Sequence, residues 1–86
     1  MFYYVYLLLL SNNDIYTGYT SDLKTRLKQH ENGAVESTKN FRPVKLIHYE
    51  AYLEKEDAQR REKFLKSSDG KQLRKRQLAV LLQKIK

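Results

Sequence analysis

Residues 2–10, FYYVYLLLL, are apolar or aromatic without a break, and residues 14–20, DIYTGYT, are rich in β-branched and aromatic side chains. The polar SNND between them marks a turn, so the two runs predict a β-hairpin. Ser21 or Asp22 then stands where a helix cap is needed, Leu23 and Leu27 make an apolar pair one turn apart, and ENG at 31–33 supplies a glycine stop. The pattern predicts a first helix over about Asp22 to Asn32. GAVESTKNFRP has no period and ends in proline, as a surface loop does. VKLIHYEAYL, residues 44–53, reads as a third strand whose Ile47, Tyr49, Ala51 and Leu53 share the side that meets the first helix.

From Lys55 to Ser67 charged and apolar residues alternate at helical spacing, SSDG interrupts, and a third helix runs from about Lys71 to Ile85. In it Leu78, Leu81, Leu82 and Ile85 form an i, i+3, i+4, i+7 stripe, which buries one face and turns the lysines and arginines outward. The order β-β-α-β-α-α predicts an α/β (α+β) fold, a three-stranded, mainly antiparallel sheet flanked by three helices.

Eighty-six residues with 41% hydrophobic content suit one domain over 1–86, with one modest core over 2–67 and a basic terminal helix at about 71–85. There is no cysteine, which excludes disulfides and thiolate zinc sites and fits a reducing, cytoplasmic setting. The N-terminal apolar run is far shorter than the roughly 20 residues that span a bilayer, and it lacks the flanks of a secretion signal. A buried strand and no membrane partner are expected.

Seventeen basic residues against ten acids leave a net charge of +7, and Lys71, Arg74, Lys75, Arg76, Lys84 and Lys86 stand in a stretch with no acid. Such a run serves either as a solvated helix face or as a surface for a polyanion such as nucleic acid. Lys39 and Arg42 add basic charge in the loop.

Glu62 is the hardest residue to explain as structure. It lies at i, i+4, i+7 with Ala58 and Leu65, on the stripe that faces the core. An unpaired buried charge costs several kcal/mol, so Glu62 is paired with Arg61 or Lys66, or it faces a cleft as ligand to a hard cation such as Mg²⁺. Arg26 and His30 stand four apart at the border of the first helix's apolar face. Each has a bland reading, surface cation and helix-dipole partner, beside phosphate binding for the arginine. Tyr6 and Tyr16 act together only if they share a sheet face, which a two-residue turn at Asn12 and Asn13 forbids and an odd loop or bulge allows. The HExxH, phosphate-loop, nucleophile-elbow and Cys/His templates are absent.

Taken in order, YVY at 4–6, YTG at 16–18, Arg26, His30, RP at 42–43 and Glu62 within AQRREKFLK resemble the GIY-YIG nuclease domain, over about residues 2–67. The match is closest to its small single-domain bacterial members. The resemblance implies a small α/β sandwich around a three-stranded antiparallel sheet and a metal-dependent endonuclease that hydrolyses nucleic-acid phosphodiester bonds. It makes Tyr6 and Tyr16 the motif tyrosines, one of them helping to deprotonate a water. Arg26 then stabilises charge on the phosphate, His30 assists positioning or proton transfer, and Gly18 allows close backbone approach. Glu62 holds one divalent metal, Mg²⁺ or Mn²⁺. The first motif lacks its glycine, and where many active members place an asparagine after the metal-binding glutamate, none follows Asn40, leaving Gln72 or Gln77 as substitutes.

Three functions follow as expectations. One is an endonuclease acting on DNA, structured or damaged DNA included. The alternative is a non-catalytic nucleic-acid-binding module that uses Lys39, Arg42, Lys71, Arg74, Lys75 and Arg76 in weak, salt-sensitive, largely sequence-independent contacts. The third is a protein-interaction domain that docks through the amphipathic last helix.

Overall fold

The computed structural model describes residues 1–85. Strands β1 (Tyr3–Leu9), β2 (Ile15–Thr20) and β3 (Lys45–Tyr52) form an antiparallel sheet in the order β2-β1-β3. Helices α1 (Leu23–Glu31), α2 (Lys55–Lys66), α3 (Ser68–Gln77) and α4 (Ala79–Lys84) surround it, with a 3₁₀ turn at Lys39–Phe41. The expected order of elements holds, with the last helix in two pieces.

Central placement explains the unbroken apolar run of β1. Val5, Tyr6, Leu7 and Leu8 are all buried because helices cover both faces of the strand. Tyr6, Leu8 and Leu10 pack with Tyr16, Leu23, Leu27, Val44 and Leu46 on the α1 side, whereas Val5 packs with Ala58, Leu65, Tyr3, Tyr19 and Tyr52 on the α2 side. One strand therefore serves two small cores.

The hairpin turn sets the register on which the site depends. Asn13 N–H donates to the Leu10 carbonyl at 3.0 Å, Leu10 N–H donates to the Asp14 carbonyl at 2.9 Å, and Asn13 takes a left-handed φ of 69°. This is a three-residue loop over 11–13, a turn followed by one left-handed residue. Tyr6 consequently pairs with Gly18 and Leu8 with Tyr16, so the two motif tyrosines stand on one face.

Strand β3 carries a bulge, since Leu7 pairs with His48 but Leu8 with Leu46. The extra residue, Ile47, breaks the expected alternation, and Val44 and Leu46 enter the α1-side core in its place. Tyr49 pairs with Tyr6 yet is 53% exposed, and Leu53 lies beyond the strand at 70% exposure. Tyr49 and Ala51, opposite Tyr6 and Tyr4, keep the expected side, with Tyr49 bordering a cleft beside Leu23 and Leu27, whereas for Ile47 in the bulge and Leu53 beyond the strand the expectation is corrected.

Helix α1 begins at Asp22, whose carboxylate accepts from Thr25 N–H at 3.1 Å and from the Thr25 hydroxyl at 2.8 Å. These bonds hold the Asp22 carboxyl below the usual carboxylate range. The helix stops before Gly33, which takes a φ of 76°. On the other side, SSDG is a junction within the helical region and does not delay the next helix to Lys71. Ser67 Oγ accepts from Gly70 N–H at 3.2 Å and caps α3, which starts at Ser68. Gly70 is buried against the Phe64 carbonyl and the Leu65 backbone, where any side chain would collide, so a glycine is what lets α3 fold back closely on α2. The backbone leaves helical geometry at Leu78 (φ −109°, ψ 26°), dividing the expected third helix into α3 and α4.

Among the described residues, no helix is long and apolar enough to cross a membrane.

Candidate active site

Tyr6 rises from the middle of β1 toward α1, and its ring lies across Gly18 of the neighbouring strand. A β-carbon at position 18 would overlap the Tyr6 ring and hydroxyl, so the glycine of YTG is what seats this phenol. The Tyr6 hydroxyl is 2.8 Å from Nε2 of His30, and Nδ1 of that imidazole is 2.8 Å from Oγ1 of Thr38. Tyr16 closes the cluster, its ring edge-on to His30 at 5.3 Å and tilted against Tyr6 at 6.4 Å.

His30 is not at the border of the helix's apolar face but at its centre, with no exposed surface. Burial first, and the nearby Arg26 charge second, pull its pKa down to about 4. At neutral pH the ring is therefore uncharged, and the dipole-complementing cation considered from sequence is not its role. Tyr6 is equally buried. Burial raises its pKa above the ordinary phenol value, Arg26 opposes the rise, and the charges of Tyr16 and Glu62 add to it. Tyr6 is thus held as a neutral phenol.

Arg26 is partly exposed and donates to the Gln29 side chain at 3.0 Å while acting on both Tyr6 and His30. Glu62 comes from α2, 22% exposed, and accepts from Lys66 at 3.1 Å. Its charge is nonetheless felt at the Tyr6 hydroxyl. The ion pair weighed from sequence exists, with Lys66 as the partner. Arg61 is committed elsewhere, donating to both oxygens of Glu50 at 2.9 and 3.1 Å. Together with Tyr52 at 2.8 Å, that arginine overcomes desolvation and keeps the Glu50 carboxyl below its usual range.

Tyr6, Tyr16 and His30 pack on one another, and Arg26 and Glu62 act on Tyr6 through their charge, but the five do not line one open hollow. Tyr6 and His30 are sealed beneath the surface because the phenol packs into the α1-side core, while Tyr16, Arg26 and Glu62 form the partly exposed rim. Two clefts lie away from them. One of about 410 Å³ lies beside Tyr4, Asp22, Leu23, Leu27 and Tyr49, and another of about 600 Å³ lies between Asn13 and the last two helices.

The basic residues divide. Lys71, Lys75 and Arg76 are exposed on α3, as are Gln72 and Gln77. Lys39 pairs with Glu36 at 3.1 Å on the surface. Arg42 is exposed but donates to the carbonyls of Lys39 at 3.0 Å and Glu31 at 3.3 Å, tying the loop to the end of α1. Arg74 turns inward, donating to the Thr17 hydroxyl at 2.8 Å, and its buried Nε has no partner among the described residues. Burial lowers its pKa from the ordinary arginine value. Sequence pattern placed Arg74 on the outer face with its neighbours, but the contact to β2 draws it in.

Thr38 escaped notice in the sequence because a lone threonine in an aperiodic loop carries no pattern. Its signal is its burial and its place eight residues after His30.

Comparison with known proteins now decides the family. The GIY-YIG catalytic domain family matches residues 2–77. This chain belongs to the GIY-YIG family. It is 41% identical over 64 residues to a UPF0213 protein of Clostridium perfringens, covering 73% of this chain and 69% of that protein. It is 37% identical over 71 residues to a UPF0213 protein of Staphylococcus haemolyticus, covering 81% and 87%. It also resembles the solution structure of a UPF0213 protein from Bacillus halodurans, with 36% identity, a TM-score of 0.55 and coverage of 94% of this chain and 85% of the other. The GIY-YIG domain is a nuclease domain, which points to a nucleic-acid substrate, and nucleases of this family generally use divalent metals.

Two outcomes test the geometry. Gly18→Ala forces the Tyr6 ring off β2, so it lowers stability by about 1–3 kcal/mol in urea denaturation, in the range of an overpacked core position, and it disturbs the Tyr6 and His30 resonances. His30 is expected to titrate near 4 when followed by NMR. Because its folded pKa lies below the ordinary value of about 6.5, the unfolded chain binds more protons between those values. Stability therefore rises with pH across that window by at most about 1.4 kcal/mol per unit and is lost as pH falls through it. A His30 midpoint near 6.5 would contradict the buried, neutral imidazole.

Proposed function

We propose that this protein is a metal-dependent endonuclease that hydrolyses nucleic-acid phosphodiester bonds. The observation that carries the proposal is the convergence of Tyr6, Tyr16, Arg26 and His30 on one face of the sheet, with the Glu62 charge reaching the same phenol from α2. Phosphodiester hydrolysis needs a proton acceptor, a cation over the phosphate and stabilisation of the leaving oxygen. The rim offers a residue for each.

Tyr16 is the partly exposed tyrosine and is assigned, in its phenolate form with its proton already given to solvent, as the acceptor of the proton from the attacking water, while buried Tyr6 stays a phenol. Arg26 stands at the rim as the cation for the phosphate, able to exchange its Gln29 contact for a bidentate phosphate contact. His30, neutral and hydrogen-bonded through both ring nitrogens, holds Tyr6 in place.

Among the described residues no three His, Asp or Glu side chains cluster as a protein-built metal cage would. The single carboxylate of Glu62 fits the other kind of site, in which a hard divalent cation keeps most of its water and takes substrate phosphate oxygens. Its competing partner Lys66 is 55% exposed, and surface pairs of this kind contribute only about 0–1 kcal/mol, so exchange is easy. Glu62 would hold Mg²⁺ or Mn²⁺, which supplies Lewis acidity toward the phosphate when bound.

Exposed Lys71, Lys75 and Arg76 supply salt-sensitive, sequence-independent attraction to DNA, while half-buried Lys39, paired with Glu36, and the engaged Arg42 and Arg74 contribute less. A second reading, a binding module without catalysis, draws support from the sealed Tyr6 and His30.

Purified protein incubated with supercoiled plasmid and Mg²⁺ or Mn²⁺ separates the two. The nuclease reading expects nicking that falls by about a hundredfold or more in Glu62→Ala and Arg26→Ala, the scale of losing one transition-state stabiliser, with DNA affinity changed little. Equal nicking by the Glu62→Ala protein would sink it, and binding without nicking would select the second reading.

A further inference from the structure

Thr38 stands outside the residues assigned to the reaction, yet it is wholly buried and ends a chain of hydrogen bonds that begins at Tyr6. Its Oγ1 lies 2.8 Å from Nδ1 of His30, and Nε2 of the same ring lies 2.8 Å from the Tyr6 hydroxyl. The loop holds Thr38 in place through its backbone, with Thr38 N–H donating to the Val35 carbonyl at 3.1 Å and Phe41 N–H donating to the Thr38 carbonyl at 2.9 Å. Arg42, bonded to the carbonyls of Lys39 and Glu31, fastens the same loop to α1.

The chain has a direction, which proton counting decides. A threonine hydroxyl, a neutral imidazole and a phenol bring three donor hydrogens to two hydrogen bonds, so one hydrogen is left over at one end. If Tyr6 donates to Nε2, then Nδ1–H donates to Thr38, and the spare hydrogen is the Thr38 O–H. That hydroxyl is sealed in the interior and has no second partner among the described residues. If Thr38 donates to Nδ1 instead, the ring carries its hydrogen on Nε2 and donates to the Tyr6 oxygen. The spare hydrogen is then the Tyr6 O–H, at the end of the chain beside Tyr16 and within the influence of Arg26 and Glu62. An unpaired donor is unfavourable at either end, since both hydroxyls are buried, but only the Tyr6 end borders partly exposed groups, Tyr16, Arg26 and Glu62, whose displacement by an arriving anion brings it an acceptor.

We propose that Thr38 is a positioning residue that fixes His30 as the Nε2–H tautomer, leaving the Tyr6 O–H as a hydrogen-bond donor for a non-bridging oxygen of the phosphodiester. Only the last clause rests on the nuclease reading. In this arrangement His30 accepts no proton from Tyr6 and serves as a fixed N–H donor to the phenol oxygen. The site then divides its labour, with Tyr6 donating and Tyr16 accepting.

The test reads the tautomer directly. In protein labelled with ¹⁵N-histidine, a long-range ¹H–¹⁵N correlation spectrum at neutral pH is expected to show His30 with an unprotonated Nδ1 and a protonated Nε2. The chain has two histidines, and His48→Gln assigns the signals by difference. Thr38→Val keeps the shape but can neither donate nor accept. It is expected to lose the single tautomer and to lower kcat for nicking by about tenfold or more with KM unchanged, as expected when the partner orienting an imidazole is removed. Thr38→Ser restores both. A protonated Nδ1 in the wild-type protein overturns the proposal whether or not the protein cleaves DNA, and so does a Thr38→Val protein that keeps both the tautomer and kcat. The expected tautomer in a protein that cleaves nothing supports the Thr38 assignment and counts against the nuclease reading alone.

Discussion

The hydrogen bond between the Tyr6 hydroxyl and the His30 imidazole, 2.8 Å long and wholly buried, joins the central strand to the first helix. Much of the site's layout follows from it. It fixes how deep α1 sits on the sheet, and with that the position of Arg26, one turn before His30. It also requires a strand partner without a side chain opposite Tyr6, which Gly18 provides. Both partners are neutral at physiological pH, so the bond carries no buried charge and tolerates its dry surroundings. Charge is kept to the rim, where Arg26 and Glu62 remain partly exposed.

This division between a neutral interior and a charged rim also bears on the proposed contact with nucleic acid. Lys71, Lys75 and Arg76 stand exposed on α3. Two other cations have been drawn into structural work, Arg42 on backbone carbonyls and Arg74 on the Thr17 hydroxyl. Net charge therefore overstates the free basic surface. Glu50 makes a similar point with the opposite sign, since Arg61, Tyr52 and His48 surround its carboxylate and use one more arginine in packing α2 on β3.

Much of this was legible in the sequence. Apolar runs and breakers located all three strands and the first two helices, because a strand covered on both faces must be apolar throughout and a capped amphipathic helix announces its ends. The spaced tyrosines, arginine, histidine and glutamate indicated the family. What stayed hidden depends on single backbone conformations or on contacts between distant elements. The left-handed Asn13 makes the hairpin loop three residues long and puts Tyr6 and Tyr16 on one face, a choice the residue types alone left open. The bulge at Ile47 shifts the alternation within β3, so that Leu46 joins Tyr49 and Ala51 on the α1 side while Ile47 does not. The break at Leu78 has no mark in the leucine stripe. Thr38 and the inward turn of Arg74 arise from contacts with His30 and Thr17 across the fold, which no local pattern encodes.

The central claim is that the surface above the buried Tyr6 and His30 pair is where nucleic acid is held. Backbone amide shifts recorded while ¹⁵N-labelled protein is titrated with a short DNA duplex, without activating metal, test this most directly. The account predicts that the largest shifts fall on Tyr16, Gly18, Arg26 and Glu62, with smaller ones along Lys71, Lys75 and Arg76. Shifts confined to α3 and α4, with the tyrosine and arginine rim unmoved, would contradict it.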